Sequence, residues 1–303
     1  MRTVYLGTSD FAVAVLERLA ASPHRPSLVV TRPDRPRGRG RKLQPPPAAI
    51  AARELGIEVF QPESVNAPEA LERIAAAEPE VVCICAYGGL IKEPLLSAYP
   101  MLNVHPSLLP RWRGAAPIER AIEAGDAETG VSIMRPVAEL DAGPVCLQRA
   151  EPIRPDDDYG SLSGRLQRLA GDLLVEALDT SPPFRGQDEA GATYAEKIER
   201  EDRVLDPALG AAALERRVRA LTPHIGAYLE TAQAGRLGVR RAAVPADAPA
   251  LEPGTLAACG ERLFFGCADG ALELVEVQPP GKRAMGAAEW LRGRPAGVAR
   301  IGS

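Results

Sequence analysis

The chain opens with Thr3-Val4-Tyr5-Leu6, a short apolar run that stops at Gly7, and continues from Asp10 with Phe11, Val15, Leu16 and Leu19 at helical spacing. That pattern predicts strand, turn and helix, with Asp10 at the helix start. Apolar runs recur at Leu28 to Val30, Val81 to Cys85, Leu102 to His105 and Val131 to Met134. Helical patterns lie between them, one capped by Asn66 and carrying Leu71, Ile74 and Ala75, another carrying Ile118 and Ile122. Strands alternating with helices predict βαβ units and a twisted, mostly parallel sheet. The first half is therefore expected to be α/β, doubly wound and Rossmann-like, closed by a helix through Leu162, Leu166, Leu169 and Leu173.

The pattern then changes. Ser181-Pro182-Pro183 through Gly191 has turn composition and little periodicity, which suits a linker. Asp206-Pro207 can cap and start a helix carrying Leu214, Val218 and Leu221. Beyond it, short runs near Leu237 to Arg241, Leu263 to Cys267 and Leu272 to Val277, separated by Gly and Pro, predict a small antiparallel barrel. The expected division is a first domain over 1–182, a linker over 183–203 and a second domain over 204–303. A length of 303 residues suits two domains, each burying its own core.

Composition adds exclusions. The chain is 46% apolar and 25% charged, with 28 Gly and 29 Pro, as expected of a soluble globular protein rich in turns. No signal peptide is evident, and apolar runs such as Val81 to Ile91 are too short to span a bilayer, so a cytoplasmic location is expected. The five cysteines are scattered and the one close pair, Cys83 and Cys85, lacks CxxC spacing, so buried free thiols are expected. With only three histidines as well, no metal site is expected. The net charge of −4 is uneven: residues from Val204 onward carry +2. The clearest basic cluster is Arg32-Pro33-Asp34-Arg35-Pro36-Arg37-Gly38-Arg39-Gly40-Arg41-Lys42, six cations against one carboxylate, without apolar periodicity and therefore expected to be exposed and unpacked. Arginine suits phosphate through its planar donor fork, although a plain solvated loop would read the same way.

The turn Gly7-Thr8-Ser9-Asp10 is not GxGxxG, so NAD is not expected. Doubly wound sheets bind ligands at the carboxyl ends of their strands, which draws attention to the residues after Cys85 and to Leu102 to His105. Within Leu102-Asn103-Val104-His105-Pro106-Ser107-Leu108-Leu109-Pro110, alternation puts Asn103 and His105 on one face of a strand end. Pro106 and Pro110 stiffen the loop that follows. Asp141, in Glu139-Leu140-Asp141-Ala142-Gly143-Pro144, could reach the same cleft; taken alone it reads as an Asx-turn residue, as His105 alone reads as a strand cap and Asn103 as a turn contact, and only the combination points to chemistry.

Asn103 to Pro110 resembles the NxHxSLLP signature of formyltetrahydrofolate-using transferases and hydrolases. The continuation Arg111-Trp112-Arg113-Gly114-Ala115-Ala116-Pro117-Ile118-Glu119-Arg120 is similar to the methionyl-tRNA formyltransferase family. So are Gly125 to Gly130, Gly7 to Phe11, the basic loop, Thr193 to Ile198 and Leu272 to Lys282. The resemblance implies a Rossmann-like formyltransferase domain joined to a C-terminal OB-like barrel that contacts tRNA. It implies 10-formyltetrahydrofolate along Ser107, Leu108, Leu109 and Pro110 and the turn Ala86-Tyr87-Gly88, with no metal and no NAD. It implies initiator methionyl-tRNA at Arg35, Arg37, Arg39, Arg41 and Lys42, with Arg39 foremost, and a monomer. Three positions depart from the pattern: Ser9 where Pro is common, Glu139 where Gly is usual, and Ala142 where Thr is usual.

Formyl transfer to an amine needs a neutral nucleophile and donors aimed at the developing oxyanion. Asn103 and His105 are expected to hold that oxygen, and Asp141 to orient His105 and help remove the amine's proton. Rival readings are an amino-sugar nucleotide formyltransferase, a formyltetrahydrofolate hydrolase, and a catalytically silent tRNA-binding protein.

Overall fold

The computed structural model describes residues 1–37, 40, 42–231, 235–293 and 299–300. The chain divides into two compact units, one of Met1–Pro117, Glu128–Pro152 and Ser163–Ala195, the other of Ile118–Ala127, Ile153–Leu162 and Glu196–Ser303. In chain order the elements up to the second domain are β1 (Thr3–Gly7), α1 (Asp10–Ala20), β2 (Pro26–Val30), β3 (Arg35–Arg37), β4 (Lys42–Gln44), α2 (Pro47–Glu54), β5 (Glu58–Phe60), α3 (Pro68–Ala76), β6 (Val81–Cys85), α4 (Leu95–Ala98), β7 (Met101–His105), β8 (Arg113–Gly114), α5 (Pro117–Ala124), β9 (Glu128–Met134), β10 (Val145–Pro152), α6 (Tyr159–Thr180) and β11 (Tyr194–Ala195). There follow α7 (Ala211–Leu221), β12 (Ala227–Thr231), β13 (Gly235–Ala243), β14 (Leu256–Cys259), β15 (Arg262–Cys267), β16 (Gly270–Gln278), β17 (Met285–Gly286), α8 (Ala287–Arg292) and β18 (Ala299–Arg300).

The first unit is built on a seven-stranded sheet in the order β10-β9-β7-β6-β1-β2-β5. Strands from β5 to β7 run parallel, while β9 is antiparallel to β7 and β10 to β9. Every position of β1 and β6 is buried, which is why both read as continuous apolar runs rather than alternating ones. Val4, Leu6, Leu28, Val30, Val82 and Ile84 pack with Ile74 and Leu95 as one core. Burial pushes the Cys83 and Cys85 thiols up to about 12, so both stay protonated at neutral pH.

The second unit centres on a sheet in the order β12-β13-β16-β15-β14-β18, with β17 on β16, antiparallel except where β18 runs parallel to β14. Its core gathers Leu214, Val218 and Leu221 of α7 against Leu237, Val239, Leu263, Leu272 and Leu274. No described helix is long and apolar enough to cross a membrane.

Three local expectations are corrected. Asn66 does not cap α3, whose N-cap is Ala67; its side chain instead joins Leu90 O and the Lys92 N–H, tying down the segment after β6. Asp206 holds a turn by accepting from the Ala208 N–H, and α7 begins at Ala211, whose N–H donates to Asp269. The basic segment is not wholly irregular: β3 and β4 pair antiparallel, Arg35 opposite Gln44 and Arg37 opposite Lys42. Arg35 and all of β4 are exposed, so no apolar face exists to leave a periodic trace in the sequence.

Candidate active site

β6 and β7 are neighbouring parallel strands, with Cys85 beside Val104, so the turns after them leave the carboxyl edge of the sheet together. The turn after β6 is Ala86-Tyr87-Gly88, in which Ala86 and Gly88 take φ of 44° and 72°. Thr8, from the turn after β1, donates its hydroxyl to Tyr87 O at 2.7 Å. The loop after β7 runs from Pro106 to Pro110 and contains a cis Leu109–Pro110 bond.

That loop is fixed by residues the sequence reading missed. Ser132 of β9 donates to Ser107 O at 2.6 Å and accepts from the Leu109 N–H at 3.1 Å. Gln148 of β10 donates to Leu109 O at 2.7 Å and to Ser132 Oγ at 2.9 Å, while Ser107 Oγ donates to Arg111 O at 2.7 Å. Ser107 and Ser132 are fully buried, Leu109 nearly so, and Leu108 and Pro110 are half-buried. One signal existed: Ser132 is the lone polar residue in the apolar run Val131 to Met134.

Asn103 and His105 occupy alternate positions of β7, opposite Met134 and Ser132 of β9. Asn103 is half-buried, and its amide makes no hydrogen bond to any described residue. His105 is 4% exposed, and its Nε2 lies 2.8 Å from Trp112 O. A carbonyl only accepts, so Nε2 carries a proton and donates it there. Trp112 adopts φ 64°, a left-handed conformation rare for a bulky side chain and costing of order 1–3 kcal/mol. His105 Nδ1 faces Asp141 Oδ2 at 3.6 Å, just beyond hydrogen-bond length.

Asp141 is itself left-handed, at φ 49°. The Gly114 N–H donates to its Oδ2 at 2.9 Å, and Gln187 Nε2 donates to Asp141 O and Gly143 O, both at 2.7 Å. A Cβ on Gly143 would lie 1.8 Å from Arg135 O, so only glycine fits there. The turn closes through backbone, Ala142 N to Glu139 O at 3.5 Å, so the unusual side chains at 139 and 142 leave that bond in place. Gln187 left no sequence signal, since its segment reads as linker.

The structure thus brings Asn103, His105 and Asp141 together with the loop over 107–110. Of the basic positions, Arg35 and Lys42 lie on the exposed hairpin, whereas Arg39, Arg41 and the Arg37 side chain fall outside the described residues. Among the described residues no group of His, Cys, Asp and Glu could hold a metal ion.

Residues 1–178 match the family described as formyl transferase, and residues 197–295 match its C-terminal domain. A methionyl-tRNA formyltransferase from Methylococcus capsulatus is 46% identical over 310 residues, covering the whole of both chains. This chain belongs to the methionyl-tRNA formyltransferase family. Another methionyl-tRNA formyltransferase, from Halorhodospira halophila, is 44% identical over 302 residues, covering 97% of this chain and 96% of that one. Among solved structures, HypX from Aquifex aeolicus in complex with tetrahydrofolic acid superposes with a TM-score of 0.64 at 20% identity. That likeness covers all of this chain but 49% of HypX. The sugar 3N-formyltransferase WlaRD reaches 0.64 at 14% identity, covering 93% of this chain and 99% of that one. At such identities these two likenesses concern the fold alone.

Proposed function

We propose that this chain, working in the cytoplasm as a monomer, transfers the formyl group of 10-formyltetrahydrofolate to the free amino group of methionyl initiator tRNA. Asn103, His105 and Asp141 carry the reaction in this reading. The observation that supports it most is the pairing of His105 Nδ1 with Asp141 at 3.6 Å while Nε2 is held by Trp112 O. Because Nε2 is already donating, the working proton enters and leaves the ring at Nδ1. Without that proton, Nδ1 can accept from the attacking amine; with it, the ring donates, and Asp141 balances its charge. Asn103, whose amide is uncommitted, donates to the oxygen that gains charge.

The donor supplies an activated formyl carbon, and the residues fit it. Ala86-Tyr87-Gly88 and Ser107 to Pro110 flank the site as two braced loops, and Tyr87 Oη is buried beside Arg32 without a well-formed hydrogen bond to any described residue. The basic loop through Arg35, Arg37, Arg39, Arg41 and Lys42 meets tRNA phosphates. Functionally the chain divides into a catalytic domain over 1–182, a linker over 183–203 and an OB-like tRNA-binding domain over 204–303, a reading supported by the family matches over 1–178 and 197–295.

The test offers the enzyme methionyl initiator tRNA, an amino-sugar nucleotide and water alone as acceptors, each with 10-formyltetrahydrofolate. Formylated methionyl-tRNA is the expected product. Transfer confined to the sugar, or release of formate alone, would overturn the reading.

A further inference from the structure

Asp141 is gripped through its backbone by a residue that the reading above does not use. Gln187, 46 positions further on, donates from Nε2 to both Asp141 O and Gly143 O at 2.7 Å. Its Oε1 accepts from Arg113 Nε at 3.0 Å. The orientation of this amide is forced, because arginine only donates and a carbonyl only accepts. Arg113 is in turn immobile. Its side chain is fully buried, and its two terminal nitrogens hold the Glu189 carboxylate at 3.0 and 2.6 Å. A buried guanidinium whose donors were left unfilled would be strongly unfavourable, so Arg113 holds Gln187 through its Nε as it holds Glu189 through its terminal nitrogens.

The residue after Arg113 completes the arrangement, since the Gly114 N–H holds the Asp141 carboxylate at 2.9 Å. Asp141 is therefore held twice, by Gly114 at its side chain and by Gln187 at its main chain. The geometry points to Gln187 as a positioning residue for formyl transfer: its two donors keep the Asp141 turn left-handed and so keep the carboxylate facing His105 Nδ1. This rests on the reading of Asp141 as the partner of His105. Gln187 touches neither reacting group and acts only through Asp141.

The informative variant is Gln187→Glu in the full chain, which keeps an acceptor for Arg113 while removing both donors; Gln187→Ala removes everything and accompanies it. Displacing a catalytic group by about 1 Å lowers turnover up to about a hundredfold, so kcat of Gln187→Glu is expected to fall about tenfold to a hundredfold. The KM for 10-formyltetrahydrofolate should stay within about threefold, because the loss lies in the transition state rather than in binding. The pH profile of kcat should shift, since the charge beside Nδ1 has moved. In an Asp141→Asn background the same substitution should change kcat by no more than about twofold, as expected of residues acting as one unit.

Wild-type kcat in Gln187→Glu beside an inactive Asp141→Asn would overturn the positioning role alone. So would a loss confined to KM, or a full loss added on top of Asp141→Asn. An active Asp141→Asn would remove the reading beneath the inference, and the inference with it.

Discussion

With Nε2 of His105 donating to Trp112 O, the ring nitrogen left uncommitted is the one that faces Asp141. Replacing Asn103 by Ala should lower kcat by about a hundredfold or more, the usual effect of losing one oxyanion donor, and replacing His105 by Ala by at least a similar factor, the usual contribution of a positioned acid–base group. Single-turnover formyl transfer measures this, and near-normal turnover in either variant would break the assignment. Asp141→Asn should lose most of its turnover while its thermal melt stays that of the parent. Asn103 and His105 were legible in the sequence because a strand's period of two puts them on one face. Asp141 was visible only as a turn residue, and the resemblance gave it a role. The Trp112 carbonyl could not be read at all, because it is a main-chain group turned by an uncommon φ of 64°.

The loop over 107–110 depends on the two strands beneath it. Ser132→Ala would leave the buried Leu109 N–H without its acceptor, a loss worth about 1–3 kcal/mol. The variant should bind the formyl donor more weakly, seen as a raised KM, with a smaller change in kcat. The strand around Ser132 was legible from its apolar run; the loop it supports lies 23 positions away, and such a contact leaves no local pattern. The hairpin of β3 and β4 escaped detection for another reason, since a two-sided exposed ribbon has no buried face. In the reading of that hairpin's loop as a tRNA contact, Arg39→Leu should weaken use of methionyl-tRNA and leave the donor's dissociation constant unchanged. Turnover by the parent enzyme should then depend more steeply on salt than turnover by the variant, because each lost phosphate contact releases fewer counterions.

Across the whole molecule, the order of strands and helices was legible because each unit buries a continuous apolar set, while boundaries set by long-range pairing were not. Residues 118–127, with nearly all of α5, and the stretch 153–162 group with the second unit although they fall within the span 1–182 expected of the first domain. Leu274→Ala, at a fully buried position of the second core, should destabilise the fold by about 2–5 kcal/mol in chemical denaturation. Acid sensitivity has a specific expectation too. Arg113 holds the Glu189 carboxyl below its ordinary value of 4.5. A lowered carboxyl contributes stability above its unfolded value and loses it as pH falls through the folded value. The difference in melting temperature between the parent and Glu189→Gln should therefore be largest near neutrality and shrink below pH 4.5.

The pairing of β8 with β11, Gly114 beside Ala195, joins a strand of the candidate site to a segment made much later. A ribosome delivers Asn103, His105 and Asp141 well before it delivers Gln187, Glu189 and the Thr193 hydroxyl that accepts from the Trp112 N–H. A nascent chain that already contains these three side chains still lacks the contacts that Gln187 and Thr193 make to Asp141 and Trp112. The contacts that brace Trp112 and Asp141 are complete only once synthesis has passed Thr193.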